Sequence, residues 1–321
     1  NIKTLESYKV YMINYTIKRI FEVIPVLLIV SIIVFSVMHL LPGDPTLLML
    51  AGAEGGSIPQ ERLDELRIIM GLNKPLYEQY YNFISNAISG DLGTSIRLRI
   101  PVTEILLQKF PYTIKLSLLG LMIAIFLGVV IGLVAALFKD TWLDHISMTF
   151  SLIGVSMPIY WLGLLLILVF SINLNIFPSS GATGWKSIVL PALTLGFVSA
   201  GLISRLLRSS LLEVLNEDYI RTAKGKGLTD KIILIKHALK NAMIPVITIL
   251  GLQFGNMLAG AVVTETVFSR PGLGRLVVNG ILWKDYPLIQ GTVLFIACIY
   301  VLVNLFVDIS YYWFDPRIKL K

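Results

Sequence analysis

Charged residues are scarce in this chain: Asp, Glu, Lys and Arg make up 15% of the 321 residues, whereas hydrophobic residues make up 55%. An ordinary soluble domain carries about 25% charged residues. The apolar residues are gathered in continuous blocks rather than alternating with polar ones, a pattern typical of membrane helices. The composition therefore excludes an ordinary soluble globular domain.

Residues that carry catalysis or bind metals are also scarce. The single cysteine, Cys298, excludes a disulfide within the chain, and the three histidines lie too far apart for a helical metal pair. No G-x-x-x-x-G-K-[ST] phosphate loop is present, because Gly225-Lys226-Gly227 lacks both the earlier glycine and the hydroxyl residue. No G-x-S-x-G nucleophile elbow is present either. The sequence therefore predicts neither an ATP-hydrolysing enzyme nor a metal site.

Several apolar runs are long enough to cross a bilayer as helices, because about 20 apolar residues span a hydrocarbon core of about 30 Å. The runs cover residues 23–41, 116–138, 146–172, 187–204, 242–264 and 286–307. The first run exceeds the apolar core of a signal peptide, and no A-x-A-like cleavage site follows it, so we expect it to be retained. The predicted fold class is all-α: a polytopic membrane protein with six transmembrane helices.

Lysine and arginine are distributed unequally along the chain. They are concentrated in the N-terminal segment, in residues 205–241 and in the C-terminal tail, whereas the short loops on the other side of the predicted membrane carry few. By the positive-inside rule, both termini are expected to lie in the cytoplasm. This asymmetry accounts for most of the net charge of +7, so no nucleic-acid partner is needed to explain it.

The spans and the orientation together predict the organisation of the chain. Its parts are a cytoplasmic segment (1–19), the first span (20–41), an extracytoplasmic helical segment (42–111), a transmembrane core (112–310) with a cytoplasmic loop (205–241), and a cytoplasmic tail (311–321). In the extracytoplasmic segment, a capping box beginning at Ser57 and a later Gly71 predict one helix. A second helix is expected from Pro75 to Ser89, ending at Gly90.

Residues 216–228 of the cytoplasmic loop have the pattern of a short amphipathic helix. Asn216 is a favourable N-cap, and two acidic residues follow it at the positive end of the helix dipole. Gly225 and Gly227 are expected to end the helix. Such a helix either inserts into a groove of a partner protein or lies on anionic lipid headgroups, and the pattern alone favours neither.

The same loop carries a longer motif with matches elsewhere in the chain. It reads Asp218-Tyr219-Ile220-Arg221-Thr222-Ala223, then Lys226-Gly227-Leu228, then His237-Ala238-Leu239-Lys240-Asn241-Ala242 and Pro245. The other motifs, in order, are Leu41-Pro42-Gly43-Asp44-Pro45, Gly71-Leu72-Asn73-Lys74-Pro75, Gly90-Asp91-Leu92-Gly93, Ser156-Met157-Pro158, residues 264–274, Asp285-Tyr286-Pro287 and Asp315-Pro316-Arg317. On these motifs the chain resembles the membrane-spanning permease subunits of binding-protein-dependent ABC importers, in the dipeptide, oligopeptide and nickel branch. Arg221 and Thr222 stand where the wider family has Glu-Ala, and both fit the peptide branch.

The resemblance implies a type I ABC importer architecture in a prokaryotic cytoplasmic membrane. Two permease subunits would form one path, two ATPase subunits would bind ATP and Mg²⁺ and dock on the cytoplasmic loops, and an extracytoplasmic solute-binding protein would deliver short peptides. This chain itself would bind no cofactor. The resemblance assigns ATPase coupling to Glu217, Asp218, Tyr219, Arg221, Thr222, Ala223, Lys226, Gly227, His237, Asn241 and Pro245. Ala223 and Gly227 are expected to fail on enlargement through steric clash, and Gly227→Trp is expected to uncouple transport from ATP hydrolysis.

A few polar or helix-breaking residues within or at the ends of the spans are candidates for the translocation path. They are Ser156, Pro158, Gln253, Asn256 and Glu265. Pro158 removes a backbone hydrogen bond and should kink its helix. Polar side chains in spans also bond across packed helices, so packing between helices is the other interpretation of these residues. For Glu265, at the end of its span, the alternatives are interfacial solvation and contact with a peptide amino group or a cation at the outer mouth.

Three alternatives to a peptide permease remain at this point. Import of nickel or a nickel chelate lies within the same family, and the binding protein would hold most of that selectivity. A stand-alone secondary transporter or channel would require ionisable residues at mid-membrane, which these spans nearly lack. The third is a membrane enzyme or scaffold, for which a polar catalytic cluster would be expected. The motifs favour import of peptides.

Overall fold

The computed structural model describes residues 2–40, 60–69 and 72–314. The regular secondary structure of these residues is helical. They contain no β-strand, and Thr94 and Pro101 form an isolated antiparallel bridge. The helices are α1 (Ile2–Leu40), α2 (Gln60–Ile69), α3 (Leu76–Ile88), α4 (Val102–Leu137), α5 (Trp142–Ser156), α6 (Ile159–Asn173), α7 (Lys186–Leu215), α8 (Asp218–Gly225), α9 (Asp230–Val267), α10 (Leu273–Trp283) and α11 (Tyr286–Phe314). Residues 167–173 of α6 and 233–238 of α9 are π-helical.

The predicted all-α polytopic class is confirmed. Among the described residues, five helices are long and apolar enough to cross a membrane, and a sixth span results if α5 and α6 count as one. These two helices meet at an angle of 110° on either side of Met157 and Pro158. Proline lacks the backbone N–H that would continue the helix, so the predicted break at Pro158 is confirmed.

Several helices are longer than their apolar runs. The helix α4 begins at Val102, within the predicted extracytoplasmic segment, and α7 continues to Leu215, well into the predicted cytoplasmic loop. The helix α9 begins at Asp230 and passes through Pro245 without ending. The predicted boundaries at residues 112, 205 and 241 therefore do not coincide with helix ends. Hydropathy marks where a helix meets lipid, whereas helix ends follow capping and packing.

The helix predicted from Pro75 to Ser89 is confirmed: α3 has Pro75 as its N-cap and Ser89 as its C-cap. Gly90 follows with a φ of +84°, in the left-handed region that favours glycine. The Ser57 capping box, Gly71 and the motifs at 41–45 and 315–317 lie outside the described residues. The helix α10 was not predicted from the sequence.

The chain divides into two compact units, and the first comprises residues 1–112 and 271–302. Its described apolar core joins Val102, Ile105 and Leu106 of α4 to Leu273 and Leu276 of α10 and Leu288 of α11. The buried carboxylate of Asp285, just before α11, accepts hydrogen bonds from Ser95 Oγ (2.5 Å) and from the backbone N–H of Arg97 (3.0 Å). Asp285 thereby ties the loop before α4 to the start of α11.

The second unit comprises residues 113–270 and 303–321, and α7 is its most buried span. Small residues let neighbouring helices approach α7 closely. A Cβ at Gly132 of α4 would lie 2.7 Å from the carbonyl oxygen of Ser204. On another side of α7, Ser204 Oγ and Ser151 Oγ of α5 lie 2.6 Å apart, both buried. The helix α7 therefore packs closely against both α4 and α5.

Candidate coupling site and path residues

One face of α8 is anchored to its own chain. Ile220 is 1% exposed and Ala223 is 8% exposed. Both belong to a buried apolar cluster that also contains Leu207 and Leu211 of α7 and Ile233 of α9. Ala223 therefore packs inward. The steric clash expected on enlargement of Ala223 would therefore occur within this chain.

The opposite face of α8 is exposed to solvent. The side chains of Asp218 and Arg221 are 98% and 75% exposed, and their charged groups lie 3.6 Å apart at an i, i+3 spacing. Thr222, Lys224 and the following Lys226 are exposed as well. Because this face carries charge of both signs and no large apolar residue, it has the character of the polar part of a protein interface.

The ends of α8 are set by backbone geometry. The N-cap is Glu217 rather than the predicted Asn216, whose side-chain N–H donates to the carbonyl of Leu212 in α7. At the other end, the N–H of Leu228 donates to the carbonyl of Ala223, and the N–H of Gly227 donates to that of Lys224. This pair of hydrogen bonds is a Schellman motif, in which the residue after the C-cap takes a left-handed conformation. Gly227 has the required φ of +78°.

Substitution of Gly227 is expected to loosen the end of α8 through its backbone rather than through side-chain clash, because no atom of this chain lies within 4 Å of a Cβ there. A residue with a Cβ costs about 1–2 kcal/mol in the left-handed region. Gly227→Ala should therefore speed amide hydrogen exchange in residues 218–228. Gly225→Ala is the matched control, since Gly225 is helical with equally open surroundings. Equal exchange in the two variants would contradict this explanation.

A groove opens between the N-terminal end of α8 and the start of α9. Its volume is about 600 Å³. Its lining residues are Val214, Glu217, Tyr219, Lys236, His237, Asn241 and Ile244. Across the groove, Asn241 Nδ2 donates a hydrogen bond of 2.8 Å to Tyr219 Oη. The structure thus brings together four predicted coupling residues that are up to 24 positions apart in the sequence: Glu217, Tyr219, His237 and Asn241.

The predicted path residues fall into an exposed and a buried group. Ser156 and Pro158, at the break between α5 and α6, are exposed, as is Asn256 on α9. At the same break, Ile159 Cδ1 lies 3.8 Å from the position of a Cβ at Gly260, one turn beyond Asn256. The break and Asn256 therefore lie at similar depth along α9.

Gln253 and Glu265 do not lie on this surface. Gln253 is 8% exposed and Glu265 is 0% exposed. The carboxylate of Glu265 accepts a 2.6 Å hydrogen bond from Thr113 Oγ1 of α4. The expectation that Glu265 is solvated at the interface or meets substrate is therefore corrected for this structure. A carboxylate can be buried when donors satisfy its oxygens.

A buried ion pair between α5 and α7 was not predicted from the sequence. Arg208 Nε and Nη2 donate to the two carboxylate oxygens of Asp144 at 2.7 and 2.6 Å. The Asp144 side chain is only 3% exposed, and it also accepts from the backbone N–H of Asp140. In the sequence both residues flank apolar runs and resemble ordinary loop charges. Nothing in a single sequence relates residues 64 positions apart.

These features define the class of the protein: a multi-pass helical membrane protein with an anchored helix and a groove beside one end of its spans. The chain belongs to the family described as the binding-protein-dependent transport system inner membrane component, whose model matches residues 128–320. A model for the N-terminal part of the same membrane components matches residues 12–117. The chain is thus a permease of an ABC importer and a multi-pass inner-membrane protein, and its family is one of transport subunits rather than enzymes.

The similarity to known proteins extends over nearly the whole chain. The glutathione transport system permease protein GsiC of Escherichia coli O6:H1 (strain CFT073) is 44% identical over 310 residues, covering 97% of this chain and 100% of that protein. GsiC of Escherichia coli (strain K12) and of Shigella flexneri serotype 5b are each 43% identical with the same coverage.

Solved structures show the same fold. A chain of the inward-facing MetNI methionine ABC transporter is similar with a TM-score of 0.57 and 15% identity, covering 66% of this chain and 96% of that one. A chain of an amino acid ABC transporter with histidines has a TM-score of 0.51 and 17% identity, covering 67% and 95%. The predicted importer permease architecture is confirmed.

Proposed function

We propose that this chain forms half of the translocation path of an importer for short peptides. The observation that carries this proposal is the similarity to GsiC over 97% of the chain, because glutathione is a tripeptide. Nickel import is the alternative within the family. Among the described residues, no three His, Cys, Asp or Glu side chains lie close enough together to hold a metal ion.

The coupling mechanism follows from the two faces of α8. We propose that an ATPase subunit contacts the exposed face and inserts a side chain or helix end into the groove beside Tyr219. Ile220 and Ala223 anchor the other face to α7 and α9, so a force on α8 is passed to both spans rather than absorbed by a loose loop. ATP and Mg²⁺ would bind to the two ATPase subunits, and ATP would favour one state through its differential contacts.

The path would lie along one exposed stripe of α9. This stripe contains Thr248, Leu252, Asn256, Ala259 and Val263 at helical spacing. A surface that faced only lipid would be apolar at this depth, whereas Thr248 and Asn256 are polar. We propose that the stripe and the neighbouring break at Pro158 face the path and that a second permease closes it.

The remaining parts of the assembly follow the charge distribution and the family. The basic residues of the 205–241 segment support, by the positive-inside rule, a cytoplasmic side for the coupling site and both termini. A solute-binding protein would deliver the peptide on the opposite side.

Reconstitution tests the proposed function directly. Affinity purification of the chain from its native membranes should recover ATPase chains and a second permease. In proteoliposomes with these subunits and the binding protein, we expect ATP-dependent accumulation of radiolabelled glutathione or a dipeptide. A complex with catalytically inactive ATPase subunits is the control. Accumulation of Ni²⁺ without peptide would support the nickel alternative, and flux without ATP would indicate a channel.

A further inference from the structure

The extracytoplasmic helix α3 packs against α1 along one of its faces. Tyr80 Oη and Ser31 Oγ are hydrogen-bonded at 2.8 Å, and Gln79 Oε1 lies 3.1 Å from His39 Nε2. Phe35 also contacts the rings of Tyr80 and Phe83, with centroids 5.4 and 6.1 Å apart. The position of α3 beside α1 is therefore set by specific contacts.

These contacts place α3 alongside the membrane-spanning part of α1. The apolar run of α1 continues to the end of the helix at Leu40, and Ser31 lies nine residues before that end. At 1.5 Å per residue, Ser31 is about 13 Å inside the end of the helix. Since Tyr80 reaches Ser31, α3 lies beside the last turns of the span rather than above it.

A second face of α3 is apolar and uncovered. Tyr77, Tyr81, Ile84 and Ile88 follow one another at i, i+4, i+7 and i+11, so they form one stripe. Tyr77 is 72% exposed, Tyr81 is 73% exposed and Ile88 is 83% exposed. In the described part of the chain no residue of α3 is buried. An apolar stripe this exposed requires a cover.

The third face of α3 is polar. It carries Glu78, Asn82, Ser85 and Asn86, which lie together when the helix is viewed along its axis. This face points away from both the α1 contact and the apolar stripe. The helix therefore separates one side suited to water from one side suited to hydrocarbon.

We propose that α3 is an interfacial helix whose Tyr77–Ile88 stripe inserts into the bilayer leaflet at the C-terminal end of α1. Two observations favour lipid over a protein partner as the cover. The face of α1 that α3 contacts continues beneath it as exposed apolar surface, because Leu28 and Ile24, three and seven residues before Ser31, are 52% and 55% exposed. Tyrosine is also enriched where membrane proteins meet the headgroup region, and an amphipathic helix of this kind lies in the membrane plane.

The charge of α3 specifies the kind of lipid surface. Its polar face carries Glu78 and amides, and the helix contains no lysine or arginine. Binding should therefore depend on burial of apolar area and not on anionic headgroups, unlike basic amphipathic helices. A bilayer of zwitterionic lipids should therefore be sufficient for the stripe to insert.

Site-directed spin labelling of the assembled transporter tests this proposal. With Cys298→Ser as background, a label at Tyr81→Cys in phosphatidylcholine nanodiscs should be accessible to oxygen and protected from a water-soluble nickel chelate. Its ratio of oxygen to chelate accessibility should match that of the reference Leu28→Cys, on the exposed apolar surface of α1 beneath α3. A label at Asn82→Cys, on the polar face, should show the opposite preference. Adding phosphatidylglycerol should change neither value.

Two results would overturn the proposal. A label at Tyr81 as accessible to the chelate as the one at Asn82 would place the stripe in water. Protection of Tyr81 from both reagents would show that a protein covers it. Ile88→Cys, on the same stripe and 83% exposed, repeats the measurement should the Tyr81 variant fail to assemble. None of these outcomes depends on which substrate is carried.

Discussion

Arg208→Gln is expected to lower the free energy of unfolding of the chain by about 3 kcal/mol, at the low end of the range for breaking a buried ion pair. The substitution leaves the Asp144 carboxylate, only 3% exposed, without its bidentate partner. The low end applies because the Arg208 side chain is 25% exposed. Unfolding of the detergent-solubilised protein, followed by circular dichroism during denaturant titration, measures the change.

The double variant Asp144→Asn/Arg208→Gln separates the ion pair from the packing around it. Removing both charges leaves no uncompensated buried charge, so the double variant should be more stable than Arg208→Gln alone. Arg221→Gln, which breaks the exposed pair with Asp218, should leave stability unchanged. If the double variant were as unstable as Arg208→Gln, the pair would not explain the loss.

Ala223→Leu is expected to lower stability by about 1–3 kcal/mol, the usual cost of extra methylenes in a packed core. Ala223 lies in the cluster formed by Leu207, Leu211 and Ile220, so a larger side chain would push α8 away from α7. Because α8 is proposed to pass force from the ATPase subunits to the spans, ATP-driven uptake should fall together with the stability. Uptake into proteoliposomes and unfolding in detergent measure the two effects.

Lys224→Leu is the matched control for this prediction. Lys224 is the next residue of α8, is exposed, and has a helix propensity close to that of leucine. The control should keep wild-type stability in the absence of ATPase subunits. Equal losses in the two variants without a partner present would show that inward packing of Ala223 is not the cause.

The sequence was informative about the coupling segment because its signals are local. An acidic first turn, an apolar stripe of Tyr219, Ile220 and Ala223, and Gly227 are enough to predict a short amphipathic helix and its end. The structure has that helix at Asp218–Gly225, one residue from the predicted start. The direction of its faces was not predictable, because it depends on Leu207, Leu211 and Ile233, which meet α8 only in the folded chain.

For the path residues, too, the sequence predicted the local feature but not the features that depend on packing. Pro158 predicted its break because the missing N–H acts within its own helix. Gln253 and Glu265 had the same polar character in the sequence as Asn256, yet they are buried while Asn256 is exposed. The difference depends on how α9 is rotated about its own axis, because the rotation decides which residues face α4 and α7. Hydropathy carries no information about this rotation.

The sequence by itself determined the membrane class, the spans, the break at Pro158 and the family. These follow from run length and backbone chemistry, since every peptide group in hydrocarbon must find its hydrogen bond within its own helix. Only the tertiary structure decided the full lengths of α4, α7 and α9, the burial of Glu265, the inward packing of Ala223 and the pairing of Asp144 with Arg208. Each of these depends on contacts between residues far apart in the chain, which local periodicity does not encode.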